Sequence, residues 1–436
     1  MSHAKTQRRK EEYNEFKDGK AKSFPPWPCF GEDEIKAVER VLRSGRINQW
    51  TGSEVTSFEE EYADFVGVKY AVAVANGSVA LDIALAILGI GPGDEVIVTP
   101  RSFVASAGCV ALRGATPVFV DVDADSQNIT LDTVKHAISS KTKAVIAVHL
   151  AGWPCELDEL KGLCDGHGIY LIEDCAQAHG AGIKRLDAGG RKKQGPEDNE
   201  TGSIRHAGSF GHIAIFSFCQ DKIMTTGGEG GMLVTDDEDL WKKAWSYKDH
   251  GKDYYAVFNN SHPPGFRWLV KSFGTNYRIT EMQAAIGRVM LRKLDKWVEQ
   301  RRRLADILTE GFEKISALRV TRPPENVYHS YYKYYVFVRP ERLKKGWNRD
   351  RILMELEKRG IPCGTGVCPE IYLEKAFIDH GYELNINGYR SKHGRLPVAR
   401  MLGETSLMFM VHPTLSEENM HYVVEQVKEV MSGGGG

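Results

Sequence analysis

Two kinds of hydrophobic pattern alternate along most of this chain. Ile35, Val38 and Val41 recur every three residues after Gly31 and predict a helix that Ser44-Gly45 ends. Phe58, Tyr62 and Phe65 predict a second amphipathic helix. The short apolar run at 70–74 reads as a strand entering Ala75-Asn-Gly-Ser78, a tight turn followed by a helix start. From Gly91 strands and helices then alternate. Strands are expected at 96–99, 117–122, 144–149 and 170–174, and helices at 103–112, 131–138 and 157–167. Several of these strands are apolar throughout, as in a sheet covered on both faces. The fold class this predicts is α/β, with a large domain built on a mainly parallel sheet.

The rhythm breaks at 181–206, a polar insert carrying Arg191-Lys-Lys193 that reads as a surface loop or hairpin. Buried strands are expected again at 213–218 and 231–235, and a helix at 237–247. A long loop, 251–272, and one long helix, 280–315, follow. Strands near 331–338, a helix at 350–359, an irregular stretch at 363–400 and a helix at 417–431 suggest a smaller α+β domain. The organisation expected is a polar arm at 1–25, a large domain at 26–290, a small domain at 291–431 and a Gly-rich tail at 432–436.

The turn between the strands at 213–218 and 231–235 carries Lys222 near its apex. A lysine drawn between buried strands is costly as an unpaired charge, and desolvation makes it a usable amine nucleophile. Schiff-base chemistry with a carbonyl, as with pyridoxal phosphate, is what most needs such an amine. The competing reading is a loop-tip lysine in water. Asp174 leaves an apolar strand at its C-terminal end, where open parallel sheets bind ligands. A carboxylate there suits a protonated pyridine nitrogen, or simply caps a helix. Gln177 and His179 either line such a ring or cap the turn. Gly77 permits the turn before the helix and Ser78 can cap it, leaving exposed N–H groups for an anion. Gly227-Gly-Glu-Gly-Gly231 lacks the lysine and Ser/Thr of a nucleotide P-loop and reads as a tight backbone turn.

Composition narrows the remaining classes. The formal net charge of −1 supplies no field for nucleic acid or anionic membrane. No apolar run reaches the ~20 residues of a membrane span. Eight scattered cysteines without a C-x-x-C pair suit reduced thiols in a cytoplasm, and argue against a disulfide framework or a zinc site. His149, His212, His329 and His412 have no ligand-spaced partners, so no metal is expected.

The motifs, taken in order, resemble one family. They are Ser44-Gly45, Val74-Ala-Asn-Gly-Ser-Val-Ala-Leu81, Gly91-Pro-Gly-Asp-Glu-Val96 and Ile172-Glu-Asp-Cys-Ala-Gln-Ala-His-Gly180, then Gly208-Ser-Phe-Gly211, Phe216-Ser-Phe218 with Lys222, Gly230-Gly231 and Asn276-Tyr-Arg278. Over residues from about 30 to 430 the chain resembles the DegT/DnrJ/EryC1/StrS sugar aminotransferases, enzymes of the aspartate-aminotransferase fold (pyridoxal-phosphate fold type I). The resemblance implies that Lys222 holds pyridoxal 5'-phosphate covalently and later moves protons. Asp174 would hold the pyridinium nitrogen, Phe103 stack on the ring, and Gln177 sit near the ring hydroxyl. Gly77, Ser78 and Ser217 would contact the phosphate. Asn276 would reach the phosphate of the other subunit's cofactor, which requires a homodimer. L-glutamate would be the amino donor. A keto sugar would be the acceptor, either nucleotide-linked (4-keto-6-deoxy or 3-keto) or a keto sugar acid, destined for envelope polysaccharide or natural-product sugars. Relatives with histidine in place of the lysine are sugar dehydratases, so a dehydratase or isomerase is one alternative, and a non-catalytic regulator is another. Cys219-Gln-Asp221 and the 181–206 insert depart from the family pattern.

Overall fold

The computed structural model describes residues 24–184, 204–259, 261–262, 264–386, 388–391 and 393–434. Most of the polar arm, the centre of the 181–206 insert with its basic run, and the last two glycines lie outside the described residues.

The strands are β1 (Tyr70–Val74), β2 (Glu95–Val98), β3 (Thr116–Val120), β4 (Thr142–Val148), β5 (Tyr170–Asp174), β6 (Gly182–Lys184), β7 (Ile204–His206), β8 (Ile213–Ser217) and β9 (Gly231–Thr235). The large sheet runs β1-β9-β8-β5-β4-β2-β3 and then takes in a hairpin, Glu383–Ile386 and Tyr389–Ser391. Pairing is parallel from β8 through β3 to Glu383–Ile386, and antiparallel between β1, β9 and β8. The uninterrupted apolar runs have the expected cause. Val72 and Val74 of β1 enter one apolar cluster while Ala71 and Ala73 enter another. Ile215 and Phe216 of β8 divide in the same way, so both faces of the sheet are covered.

Three expectations need correction. The helix expected over 280–315 is two helices, Glu281–Leu291 and Leu294–Phe312. The first buries Ala285 and Val289 against Ala37 and Val41. The second buries Leu304, Leu308 and Phe312 in a separate core with Val423, Val427 and the strand Tyr334–Val338. Each half is amphipathic, so periodicity runs on through a break that two different packing partners impose. Lys293 precedes the second helix and ties the break to Asp33 at 2.7 Å and Glu34 at 2.5 Å. The loop at 251–272 contains a short helix, Tyr254–Phe258, capped by Asp253. The stretch at 363–400 is more ordered than its composition suggests. Residues 383–391, assigned from sequence to the smaller domain, extend the large sheet beside β3, and Arg390 reaches back to Glu95 at 2.7 Å. The insert at 181–206 begins and ends as the antiparallel pair β6–β7, the two ends of a hairpin.

One buried carboxylate fixes the chain before β8. Glu173 accepts from the backbone N–H groups of Gly208, Phe210 and Gly211 at 2.6–2.8 Å, and His149 Nε2 donates to it at 3.0 Å. Burial alone would raise its pKa, but the bonds from His149, Gly211 and Gly208 outweigh burial and hold it below the ordinary 4.5. Its stabilising contribution is therefore complete above pH 4.5 and is lost as the pH falls through the lower folded value. Glu173→Gln should lower the urea midpoint at neutral pH and flatten its fall on acidification relative to the parent. Parallel profiles for the two proteins would refute this.

Candidate active site

The C-terminal end of β5, the end of β8 and the start of the helix Gly77–Ile87 open on one cavity of about 780 Å³. Gly77, Ser78, Phe103, Asp174, Gln177, Ser217 and Lys222 all line it. Residues separated by up to 145 positions thus meet at the strand ends where an open α/β sheet binds ligands.

The helix start is built differently from the expectation. Asn76, not Ser78, is the N-cap, and its side chain accepts from Val79 N at 3.0 Å. Ser78 lies one residue inside the helix, with its hydroxyl left for the cavity wall. Gly77 is not needed for a left-handed turn. A Cβ there would stand 2.7 Å from Ser217 Cβ, so its hydrogen side chain allows β8 to approach the helix N-terminus. The N–H groups of the first turn precede any intrahelical bond. With Ser217 beside them, the N–H groups of Gly77 and Ser78 are of the kind that can hold an anion.

Asp174 is buried and fully oriented. Its Oδ1 accepts from Ala176 N at 3.1 Å and its Oδ2 from Ser106 Oγ at 2.7 Å. Ser106 in turn lies 3.0 Å from Ser102 Oγ. Sequence reading missed Ser106. The available signal was a pair of serines four apart at the start of a helix of small apolar residues, Ala105–Leu112. Gln177 Oε1 accepts from Ala151 N at 2.9 Å, which turns its amide into part of the wall.

Lys222 is half-buried rather than enclosed between the strands. Its ammonium lies 4.9 Å from the centre of the Tyr332 ring. Its backbone is held from both sides: its N–H donates to Cys219 O at 3.0 Å, and Trp27 Nε1 donates to its carbonyl at 2.8 Å. The rest of the turn is pinned by Thr225 Oγ1 to Phe218 O at 2.8 Å. Gly227 and Gly228 carry positive φ angles of 89° and 126°, so the glycine run does make the tight turn expected of it.

His179 does not line the cavity. It is buried behind β8, where Nε2 donates to Ser217 O and Nδ1 accepts from Tyr62 Oη, each at 2.8 Å. Burial pushes its pKa down to about 3, so it is a neutral strut. Asn276 is also outside the cavity wall. It is exposed, and its Oδ1 accepts from Arg278 N at 3.3 Å. Phe103 precedes its helix, is 63% exposed and offers a ring at the cavity mouth. Among the described residues, His149, Glu173 and Cys175 bring ligand atoms within 4.8 Å of one another. Both His149 nitrogens and both Glu173 oxygens are already committed to internal hydrogen bonds. Also among the described residues, no helix is long and apolar enough to cross a membrane.

Sequence reading also missed Tyr332, Lys333 and Tyr335, which line the cavity together with residues 366–368. Tyr332 Oη donates to Asp221, and Val367 N donates to Tyr335 Oη at 3.0 Å.

Known proteins are similar to this chain over nearly their whole length. An aminotransferase structure from Psychrobacter cryohalolentis matches with a TM-score of 0.85 at 48% identity, covering 94% of this chain and 99% of that one. The spore coat polysaccharide biosynthesis protein SpsC of Bacillus subtilis is 32% identical over 95% of this chain and 99% of its own length. A GDP-perosamine synthase of Escherichia coli O157:H7 is 30% identical over 93% of this chain and 97% of its own. The family model for the DegT/DnrJ/EryC1/StrS aminotransferases matches residues 28–428. The chain belongs to that family and is a transaminase of the pyridoxal-phosphate fold type I class.

Proposed function

We propose that this transaminase uses pyridoxal 5'-phosphate to move an amino group from L-glutamate to a keto sugar. The acceptor in this reading is a nucleotide-linked 4-keto-6-deoxy or 3-keto hexose, or a keto sugar acid, and the product enters envelope polysaccharide or natural-product sugars. One observation carries the proposal: a primary amine, Lys222, and a buried, doubly hydrogen-bonded carboxylate, Asp174, line the same cavity as the N-terminus of the helix Gly77–Ile87. The residues fit the cofactor. Gly77, Ser78 and Ser217 would take its phosphate, Asp174 its ring nitrogen, Phe103 a ring face and Gln177 the ring hydroxyl. When bound, the group supplies an electron sink for proton transfer at the carbon bearing nitrogen.

The chain's own residues supply the rest. Ser106 and Ala176 hold the Asp174 carboxylate so that its charge meets a cationic ring nitrogen without reorganisation. The Lys222 amine, on a turn fixed at Cys219 and Trp27, delivers and removes the proton that sets the new stereocentre. Asn276 acts in trans from a second copy in this reading. The exposed Phe266, Trp268 and Phe273 suit the same homodimer contact. The names of the sugar-pathway relatives support a sugar acceptor, and eight free cysteines suit a cytoplasmic site. Lysine at 222, where dehydratase relatives carry histidine, favours amine transfer over loss of water.

The test uses ¹⁵N-labelled L-glutamate and a panel of keto sugars with the cofactor-loaded protein. The expected result is 2-oxoglutarate together with ¹⁵N in an amino sugar. A sugar that loses water and gains no nitrogen would sink the reading.

A further inference from the structure

Lys333 belongs to the aromatic run Tyr331–Tyr335 and lines the cavity with Lys222. These are the two basic side chains among the described residues of its wall. The Lys333 side chain retains 13% exposure, and its ammonium stands 3.9 Å from Asp221 Oδ2, beyond hydrogen-bond reach. Its nearest recorded polar contact is Met410 Sδ at 3.2 Å, a weak acceptor. It also lies 4.6 Å from the centre of the Tyr332 ring, the ring that Lys222 approaches. Asp221 is no firm counter-ion, because it already accepts from Tyr332 Oη and is half in solvent. The neighbouring Arg301 guanidinium is fully buried. Its Nη1 donates to the Tyr331 and Tyr332 carbonyls, while Nε and Nη2 find no partner. Burial pushes Lys333 down to about 8, with Arg301 and Lys222 acting in the same direction against Asp221. A largely buried ammonium whose donors meet no oxygen among the described residues is costly until an anion arrives.

Given that Lys222 is committed to the cofactor, as proposed above, we infer that Lys333 is the anion-recognition point of this cavity and takes a carboxylate or phosphate oxygen of a substrate. Glutamate and a sugar acid offer carboxylates, and a nucleotide-linked sugar offers phosphates.

The test compares Lys333→Met, which keeps the stem and its packing, with Lys333→Arg, which keeps the charge. Calorimetry on the holoenzyme measures binding of glutarate and of uridine 5'-diphosphate, and steady-state kinetics follow each substrate. Losing a charge-assisted hydrogen bond should weaken one probe at least about tenfold and raise the matching KM with kcat nearly unchanged. Lys333→Arg should restore most of both. A shift in the glutarate arm identifies a carboxylate, and one in the diphosphate arm a phosphate. Equal affinities in parent and Lys333→Met, no binding of either probe by the parent, or a kcat loss that arginine does not rescue would each overturn the inference. If Lys333→Met loses probe affinity but the parent makes no amino sugar, the anion point stands and the keto-sugar reading falls.

Discussion

Lys222→Ala should reduce amine transfer by about three to four orders of magnitude while leaving the fold intact. The size follows from the proposed roles of Lys222, a covalent anchor and a positioned proton carrier, both lost in one substitution. The fold should survive because the side chain is half-buried on a turn, and its one recorded side-chain contact is the Tyr332 ring at 4.9 Å. The turn is held by backbone groups of Cys219, Lys222 and Gly228 and by Thr225, which the variant keeps. Two measurements check the prediction: kcat for ¹⁵N transfer, and the urea midpoint. Transfer at the parental rate would remove the assignment of Lys222. A collapsed urea midpoint would instead show that the side chain supports the turn.

Asp174→Asn should cost on the order of 10²–10³-fold in kcat, the range for removing one preorganised electrostatic partner. Asparagine is the informative choice because it preserves geometry. Its carbonyl can still accept from Ala176 N, and its amide can face Ser106 Oγ, so both present contacts keep a partner. What it loses is the negative charge that, in the proposed role, would keep a ring nitrogen protonated. Asp174→Ala would confuse the result by leaving Ala176 N without its acceptor and Ser106 with Ser102 alone as a partner. The check is kcat for Asp174→Asn with saturating substrates. A value within about threefold of the parent would show that the carboxylate serves only to brace Ser106 and the strand end.

Much of the site was legible in the chain because its chemistry is local. Asp174 announces itself as a carboxylate ending an apolar strand, and Lys222 as a lysine amid glycines and threonines between two such strands. What was misread depended on contacts between distant segments. The role of Gly77 was assigned to a turn, but the glycine is required by Ser217, which lies 140 positions away and whose Cβ would stand 2.7 Å from an added Cβ. Ser78 and Asn76 are both types that cap well, and only the backbone at Asn76, φ −168° and ψ 171°, shows that Asn76 provides the cap. Ser106 was invisible because a small helix of mixed Ala, Ser and Gly does not reveal which serine faces a carboxylate. Lys333 carries no signal of its own in the aromatic run, and only the fold brings that run into the cavity that Asp174 lines.

Hydrophobic period alone determined the covered, mostly parallel sheet and the order of its elements, because burial on both faces forces unbroken apolar strands. It also determined which strand ends carry an amine and a carboxylate. Tertiary structure decided where the helix pattern of 280–315 breaks, since two different cores claim its two halves. It also brought the strands 383–386 and 389–391 back to the edge of the large sheet, and it set an under-bonded ammonium in the same cavity as Lys222. Those outcomes depend on pairings across hundreds of residues, and a local pattern carries no record of which distant surface it will meet.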